Sequence, residues 1–366
     1  MKILIATDKF KDSLTAQKVG EALASGIKRF DSSVEIVHQQ MADGGEGTLE
    51  VIAATLNLEK IEVFVNDPIF RPIKAYYLRD KDIAFIEMAE ASGLQRLHKE
   101  EYNPQKTTTY GTGELIKHAI ESGAKQINLF VGGSATNDGG IGIASALGAV
   151  FMTEEGEVLR PIGEDLSQIK TIDCKQVNQL IAGVKCCVYT DVKNVLFGPN
   201  GAAHVYGSQK GATVQQTVEL DVGLKHLARI LGNGLEHRPG AGAAGGLGYG
   251  AMTFLGAALL SGVDYLIGIL GLDEKLKNVD LIISGEGKID EQTLEGKVVH
   301  GILKLGKRHK IPVVLVCGLS VITPSAAVYD VVDEAINLED SISNAATYLE
   351  LIGERIVRDF QQPRTI

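Results

Sequence analysis

Short apolar runs alternate with amphipathic stretches at helical spacing through the first and last parts of the chain. Lys2–Ala6 is an apolar run closed by Thr7-Asp8, as expected of a buried strand, and Ser13 or Thr15 then caps a helix running to about Arg29. Val34–Val37 predicts a second strand, and Met41-Ala-Asp-Gly-Gly-Glu-Gly-Thr48 leads into a helical pattern over Leu49–Leu56. Between Lys60 and Ala89 the period shortens to three β runs, Ile61–Val65, Ile73–Leu78 and Ile83–Met88, whose turn-like punctuation predicts antiparallel pairing. Thr107–Thr112 caps a helix over Gly113–Glu121. A strand over Ile127–Val131 then enters Gly132-Gly-Ser-Ala-Thr-Asn-Asp-Gly-Gly140, and a helix leaves it over Ile141–Leu147.

Residues 148–181 carry no decisive period. A strand ends at Asp191, and Pro239-Gly-Ala-Gly-Ala-Ala-Gly-Gly-Leu-Gly-Tyr-Gly250 opens an apolar helical stretch over Ala251–Leu260. The last quarter returns to strand–helix rhythm: strand Val279–Ile283 ends in Ser284-Gly-Glu-Gly-Lys-Ile-Asp290, followed by helix Lys297–Lys307 and strand Pro312–Cys317, then a short strand and a terminal helix. Such alternation implies an α/β fold with a mostly parallel sheet and ligands outside the carboxyl ends of its strands. The two ends read as one sheet interrupted by an insertion: residues 1–66 plus 270–366 form a discontinuous α/β domain, and 67–269 an inserted mixed α/β domain. A chain of 366 residues allows about two domains, each with its own core.

Charge narrows the partners. The net charge of −10 argues against a nucleic-acid surface, which rewards clustered Lys and Arg. No apolar run reaches the ~18 residues of a membrane span, and the chain enters a strand directly from Met1, so a soluble, cytoplasmic protein is expected. The cysteines, Cys174, Cys186, Cys187 and Cys317, lie in or beside apolar runs without metal spacing and read as reduced core residues.

The candidate chemistry sits at the loops. Glycines let backbone approach a ligand closely, and the polar Ser134, Thr136, Asn137 and Asp138 stand at a helix start, which suits an anion, although capping alone also explains them. Gly240-x-Gly242-x-x-Gly245 has the letters of a dinucleotide fingerprint, but Glu236-His-Arg-Pro precedes it where a strand belongs, and no Walker A motif exists. The segment remains a flexible loop suited to covering phosphates, or a site of close helix packing. Asp8, Asp43, Glu46, Asp138, Asp191, Glu286 and Asp290 each lie at a strand end or glycine-rich turn. Each alone could be a turn former, but together they match phosphoryl transfer, which needs oxygen ligands for Mg²⁺, cations on the phosphate and at times a carboxylate base. Lys9, Lys11, Lys193, Lys210 and Lys288 are available as cations.

Several motifs together resemble the bacterial type I glycerate kinase family: Asp8-x-Phe10-Lys11-x-Ser13, Ala42-Asp-Gly-Gly-Glu-Gly-Thr48, Gly132–Gly140, Asp191-Val-x-Asn194, Gln209-Lys-Gly-Ala212, Pro239–Gly246, Gly285-Glu-Gly287 and Asp290-x-Gln292-Thr293. They run in order through nearly the whole chain. Departures at Thr7, Lys9, Asp12, Thr190, Val195 and Ser208 mostly flank the polar residues. The resemblance implies a Rossmann-like domain interrupted by a second α/β domain, with the active site in the cleft between them. It also implies ATP- and Mg²⁺-dependent phosphorylation of D-glycerate at the 2-hydroxyl. On this reading Asp43, Glu46, Asp191 and Glu286 are candidates for base and magnesium roles, with Asp191 and Glu286 as metal ligands and Lys210 neutralising charge. Asp8, Lys11, Ser134, Asn137, Asp138, Asn194, Gly240, Gly242, Gly245, Gly246 and Asp290 are candidates for phosphate or substrate contacts. Which carboxylate is the base stays open. The partner is a small hydroxy acid, with no nucleic acid or membrane, and a homodimer is compatible. The alternatives are a kinase for another small hydroxy acid, or a non-catalytic nucleotide- or organic-acid-sensing protein.

Overall fold

The computed structural model describes residues 1–291, 293 and 296–362. Gln292, in the last motif above, lies outside the described residues. The chain divides into two units, one formed by Met1–Asp43 with Val263–Ile366 and the other by Gly44–Gly262. The sequence expectation placed these seams at 66 and 270.

The first unit is built on a five-stranded, wholly parallel sheet in the order Ala327–Asp330, Val313–Ser320, Leu281–Ile289, Lys2–Thr7, Glu35–His38. The first strand of the chain therefore lies beside a strand about 280 residues later, pairing Ile3 with Leu281 and Thr7 with Gly285. Helix Ala16–Phe30 buries Ala16, Val19, Leu23 and Ile27 at three- and four-residue spacing and is capped by Thr15, whose side chain accepts from the Lys18 amide. It packs on helix Ala345–Gln361 so closely that a Cβ on Gly26 would stand 1.8 Å from the Glu350 carbonyl oxygen. Ile3, Ile5, Leu23, Ile283, Val316, Leu349 and Ile356 belong to the core they share.

The second unit has a six-stranded sheet in the order Ala258–Leu260, Lys185–Tyr189, Gln126–Phe130, Ile83–Glu87, Pro72–Asp80, Glu59–Asn66. Glu59–Asn66 pairs along its length with Pro72–Asp80, so this strand belongs to the second sheet. The expected antiparallel pairing holds for the three short runs, but Ile83–Glu87 also pairs parallel with Gln126–Phe130. The sheet is thus mixed. Residues 148–181 contain a small antiparallel ladder, Val150–Met152 with Thr171–Asp173, and the 18-residue helix Val214–Leu231 has no counterpart in the sequence expectation. The expected helix over Ala251–Leu260 is corrected: helix Ala243–Leu255 stops at Gly256, which takes the left-handed conformation, and Ala258–Leu260 is a strand. All four cysteines are free thiols. No helix among the described residues is long and apolar enough to cross a membrane.

Candidate active site

Each unit carries one cluster of polar side chains at strand ends. In the first unit, Lys2–Thr7 and Leu281–Ile289 run side by side, and the Asp8 amide donates to the Gly285 carbonyl at 2.9 Å. That pairing brings Asp8 and Glu286 to the same sheet edge. Asp8 accepts from the Lys9 amide at 2.7 Å. Burial, then the charge of Asp43, then that of Glu286 hold the Asp8 carboxyl well above the usual carboxylate range, although the Lys9 amide pulls the other way. Burial also raises Glu286. Asp8, Asp43 and Glu286 are therefore close enough to repel one another, the arrangement in which a cation is stabilising.

Lys297 supplies part of that charge, with its ammonium 3.2 Å from Glu286 Oε2. It stands at the cap position of helix Val298–His309. Burial works to lower its affinity for a proton, but the charge and hydrogen bond of Glu286 prevail and raise it. Glu286 is 8% exposed, and its buried Oε1 has no hydrogen-bond partner among the described residues. Asp290 ends the same strand in a local turn: its amide donates to Thr293 Oγ1 and its Oδ1 accepts from the Thr293 amide, with Lys288 3.6 Å away. Lys11 is exposed on the loop after Asp8.

In the second unit the centre is Lys210, only 5% exposed, which donates to Ser134 Oγ at 2.8 Å and to the Thr136 carbonyl at 2.7 Å. Burial lowers its pKa to about 7, against the opposing charge of Asp138. Beside it, Asn137 is fully buried, and its side-chain nitrogen and oxygen both lack partners among the described residues, as does Thr136 Oγ1. A buried amide left unpaired costs on the order of 1–3 kcal/mol per group, so such atoms call for water or a ligand. Asp138 is different. Its carboxylate accepts from the Thr109 amide and hydroxyl at 2.7 and 2.8 Å and from the Gly140 and Gly142 amides at 3.0 and 3.2 Å. It ties the starts of helices Tyr110–Glu121 and Ile141–Ala146 together, and its place is in the framework beneath the loop.

The glycine-rich segment at 240–246 is packed into the unit. Ala244, Gly245 and Gly246 are all left-handed, and a Cβ on Gly245 would lie 2.0 Å from the Thr136 carbonyl oxygen. One on Gly242 would lie 2.2 Å from the Val195 carbonyl oxygen, while Gly240 is left-handed and buried. These positions let one loop back directly onto the Ser134–Asn137 loop. Asn194 joins the same scaffold by donating to the Asn200 carbonyl and accepting from the Tyr206 hydroxyl. Asp191 follows strand Lys185–Tyr189 and is part-buried. Glu46 is exposed, in the turn that begins helix Thr48–Thr55.

Residues the sequence reading passed over have clear roles. Lys297 entered the sequence reading only as the first residue of the helix expected over Lys297–Lys307. Glu87 ends its strand with both oxygens accepting, from the Gly47 and Leu49 amides at 3.1 and 3.2 Å. It caps helix Thr48–Thr55 from outside, where Gly47 offers no side chain. Thr109 shares the Asp138 network. Among the described residues no group of three or more His, Cys, Asp or Glu side chains is arranged to hold a metal ion.

The sequence pattern described as "Glycerate kinase family" matches residues 3–361. A glycerate kinase of Bacillus subtilis (strain 168) is 39% identical, the alignment covering 100% of this chain and 99% of that protein. A glycerate 2-kinase of Escherichia coli (strain K12) is 41% identical over 87% of this chain and 85% of its own length. The crystal structure reported for glycerate kinase 2 from Salmonella typhimurium LT2 superimposes with a TM-score of 0.81 at 36% identity, covering 99% of this chain and 98% of that one.

Proposed function

The chain belongs to the glycerate kinase family, and from that premise we propose that it transfers the γ-phosphoryl group of ATP to the 2-hydroxyl of D-glycerate. It is a glycerate kinase. The observation that carries the roles is the Asp8–Asp43–Glu286 group with Lys297 against it and one Glu286 oxygen without a partner among the described residues.

Hard carboxylate oxygens fit Mg²⁺. Mg²⁺ is usually held by one or two carboxylates together with waters and substrate phosphates. Glu286 would hold it in the first unit, and Asp191, part-buried after strand Lys185–Tyr189, is a candidate on its place in the sequence motif. When bound, magnesium neutralises charge on the phosphates. One carboxylate among Asp43, Glu46, Asp191 and Glu286 accepts the proton of the glycerate hydroxyl as the new O–P bond forms and the bond to ADP breaks. In the second unit, the Ser134–Asn137 loop and Lys210 hold the glycerate carboxylate, with the Asn137 amide available as donor and acceptor. An anchored carboxylate presents one hydroxyl for transfer, and a misplacement of about 1 Å can cost on the order of 10²-fold in rate.

The product decides this reading. Phosphorus NMR of a reaction with D-glycerate, ATP and Mg²⁺ should show 2-phosphoglycerate that enolase consumes without a mutase; 3-phosphoglycerate alone would refute the regiochemistry.

Lys210 gives a second expectation. Its ammonium is charged below about pH 7 and neutral above, so KM for glycerate should rise as pH rises through 7 while KM for ATP stays flat. Lys210→Met should start at the high KM and lose the slope. Parallel pH profiles for both substrates would remove Lys210 from the glycerate pocket.

A further inference from the structure

Asp8, Asp43 and Glu286 gather negative charge at one sheet edge, and one oxygen of Glu286 is buried without a partner among the described residues, so a divalent ion is drawn to the cluster even though no three of these side chains are arranged to enclose it. A kinase gains nothing by holding a metal before its nucleotide arrives. Lys297 is placed to prevent this. Its ammonium holds Glu286 by Oε2 alone, leaving Oε1 unpaired among the described residues, and it also feels the charges of Asp290 and Asp43. Its position is set by backbone, at the cap of helix Val298–His309.

We propose that Lys297 is a positioning residue that orients Glu286 through one oxygen and screens the carboxylate cluster, so that the cluster takes a divalent cation together with nucleotide phosphates and not alone. The inference rests on the reading of this cluster as the nucleotide and metal side of the kinase. The physical reason is a balance of charges. A fixed ammonium repels a free divalent ion from Glu286, at a separation where a unit charge is felt strongly in a partly buried site. A metal bound to di- or triphosphate arrives with net negative charge, and the same ammonium then attracts it.

The test uses Mn²⁺ as the probe, titrated into the nucleotide-free full-length protein while electron paramagnetic resonance reports the free ion. Lys297→Met keeps most of the side-chain volume and should bind free Mn²⁺ about tenfold more tightly than the wild type, the scale on which a neighbouring charge shifts a partly buried ionic equilibrium. Lys297→Arg should behave as the wild type. Adding ADP should tighten Mn²⁺ strongly in the wild type and much less in Lys297→Met. Equal Mn²⁺ affinities of wild type and Lys297→Met without nucleotide would overturn the proposal. If melting by circular dichroism shows that Lys297→Met is unfolded, Lys297→Gln is titrated in its place with the same two outcomes. Because the titration involves no turnover, an absent kinase product would defeat the functional reading and leave the Mn²⁺ comparison readable. Equal affinities in an active enzyme would defeat this inference alone.

Discussion

Replacing Asp138 by alanine should lower the melting temperature by about 10 °C, the largest stability effect expected of any single polar side chain in the second unit. The carboxylate accepts from two donors of Thr109 and from the Gly140 and Gly142 amides, all in the interior. Each donor stranded without water costs on the order of 1–3 kcal/mol, so a net loss of about 4 kcal/mol is reasonable after relaxation. For a folding unit of this size that corresponds to roughly 2–4 °C per kcal/mol. Asp138→Asn should fall between wild type and alanine, because the amide fits but turns a donor toward donors. Differential scanning calorimetry reads both variants, and a melting temperature within 2 °C of wild type in Asp138→Ala would show that the four hydrogen bonds are dispensable.

The second large effect is on rate. Glu286→Gln should reduce kcat by about 10³-fold, the scale on which one preorganised electrostatic group contributes to a transition state. Stability should stay level, since relief from burying a charge beside Asp8 and Asp43 offsets the lost ion pair with Lys297. That difference in stability separates a functional carboxylate from a structural one, and Asp138 is the control. Steady-state kinetics with melting curves on the same preparations suffice. A kcat within fivefold of wild type would remove Glu286 from the chemistry.

The contrast between these two acids shows what the sequence could and could not carry. In the sequence both stand in glycine-rich segments after an apolar run, and composition gives them equal standing. Local period located the strand Lys2–Thr7, the helix capped by Thr15 and the loop from Gly132 to Gly140. It could not say that Asp138 faces four inward-pointing donors while Glu286 keeps a bare oxygen, because those facts depend on Thr109 and Lys297 arriving from elsewhere in the chain. Glu87 was hidden for the same reason, as it caps a helix that begins 39 residues earlier at Thr48, and no motif spans that gap. The 18-residue helix Val214–Leu231 was missed because its apolar residues include Val214 and Val222 on the exposed side, which blurs the period. Ala251–Leu260 was read as one helix because an apolar run gives no warning that Gly256 turns left-handed. The glycines at 240–246 advertised close approach correctly, but what approaches Gly242 and Gly245 in the structure is protein backbone.

The pairing of Lys2–Thr7 with Leu281–Ile289 also fixes an order of events on the ribosome. At about 5–20 residues per second, the first strand waits roughly 15–55 s for its neighbour to be synthesised. Ile3, Leu4 and Ile5, all fully buried in the finished protein, are in water or in the care of a chaperone throughout that interval. Gly44–Gly262 is continuous and has its own sheet and core, so it can fold while the first unit is still two separated pieces. A chain stalled or cleaved just after residue 262 would then yield one folded unit trailing an orphaned, aggregation-prone N-terminus.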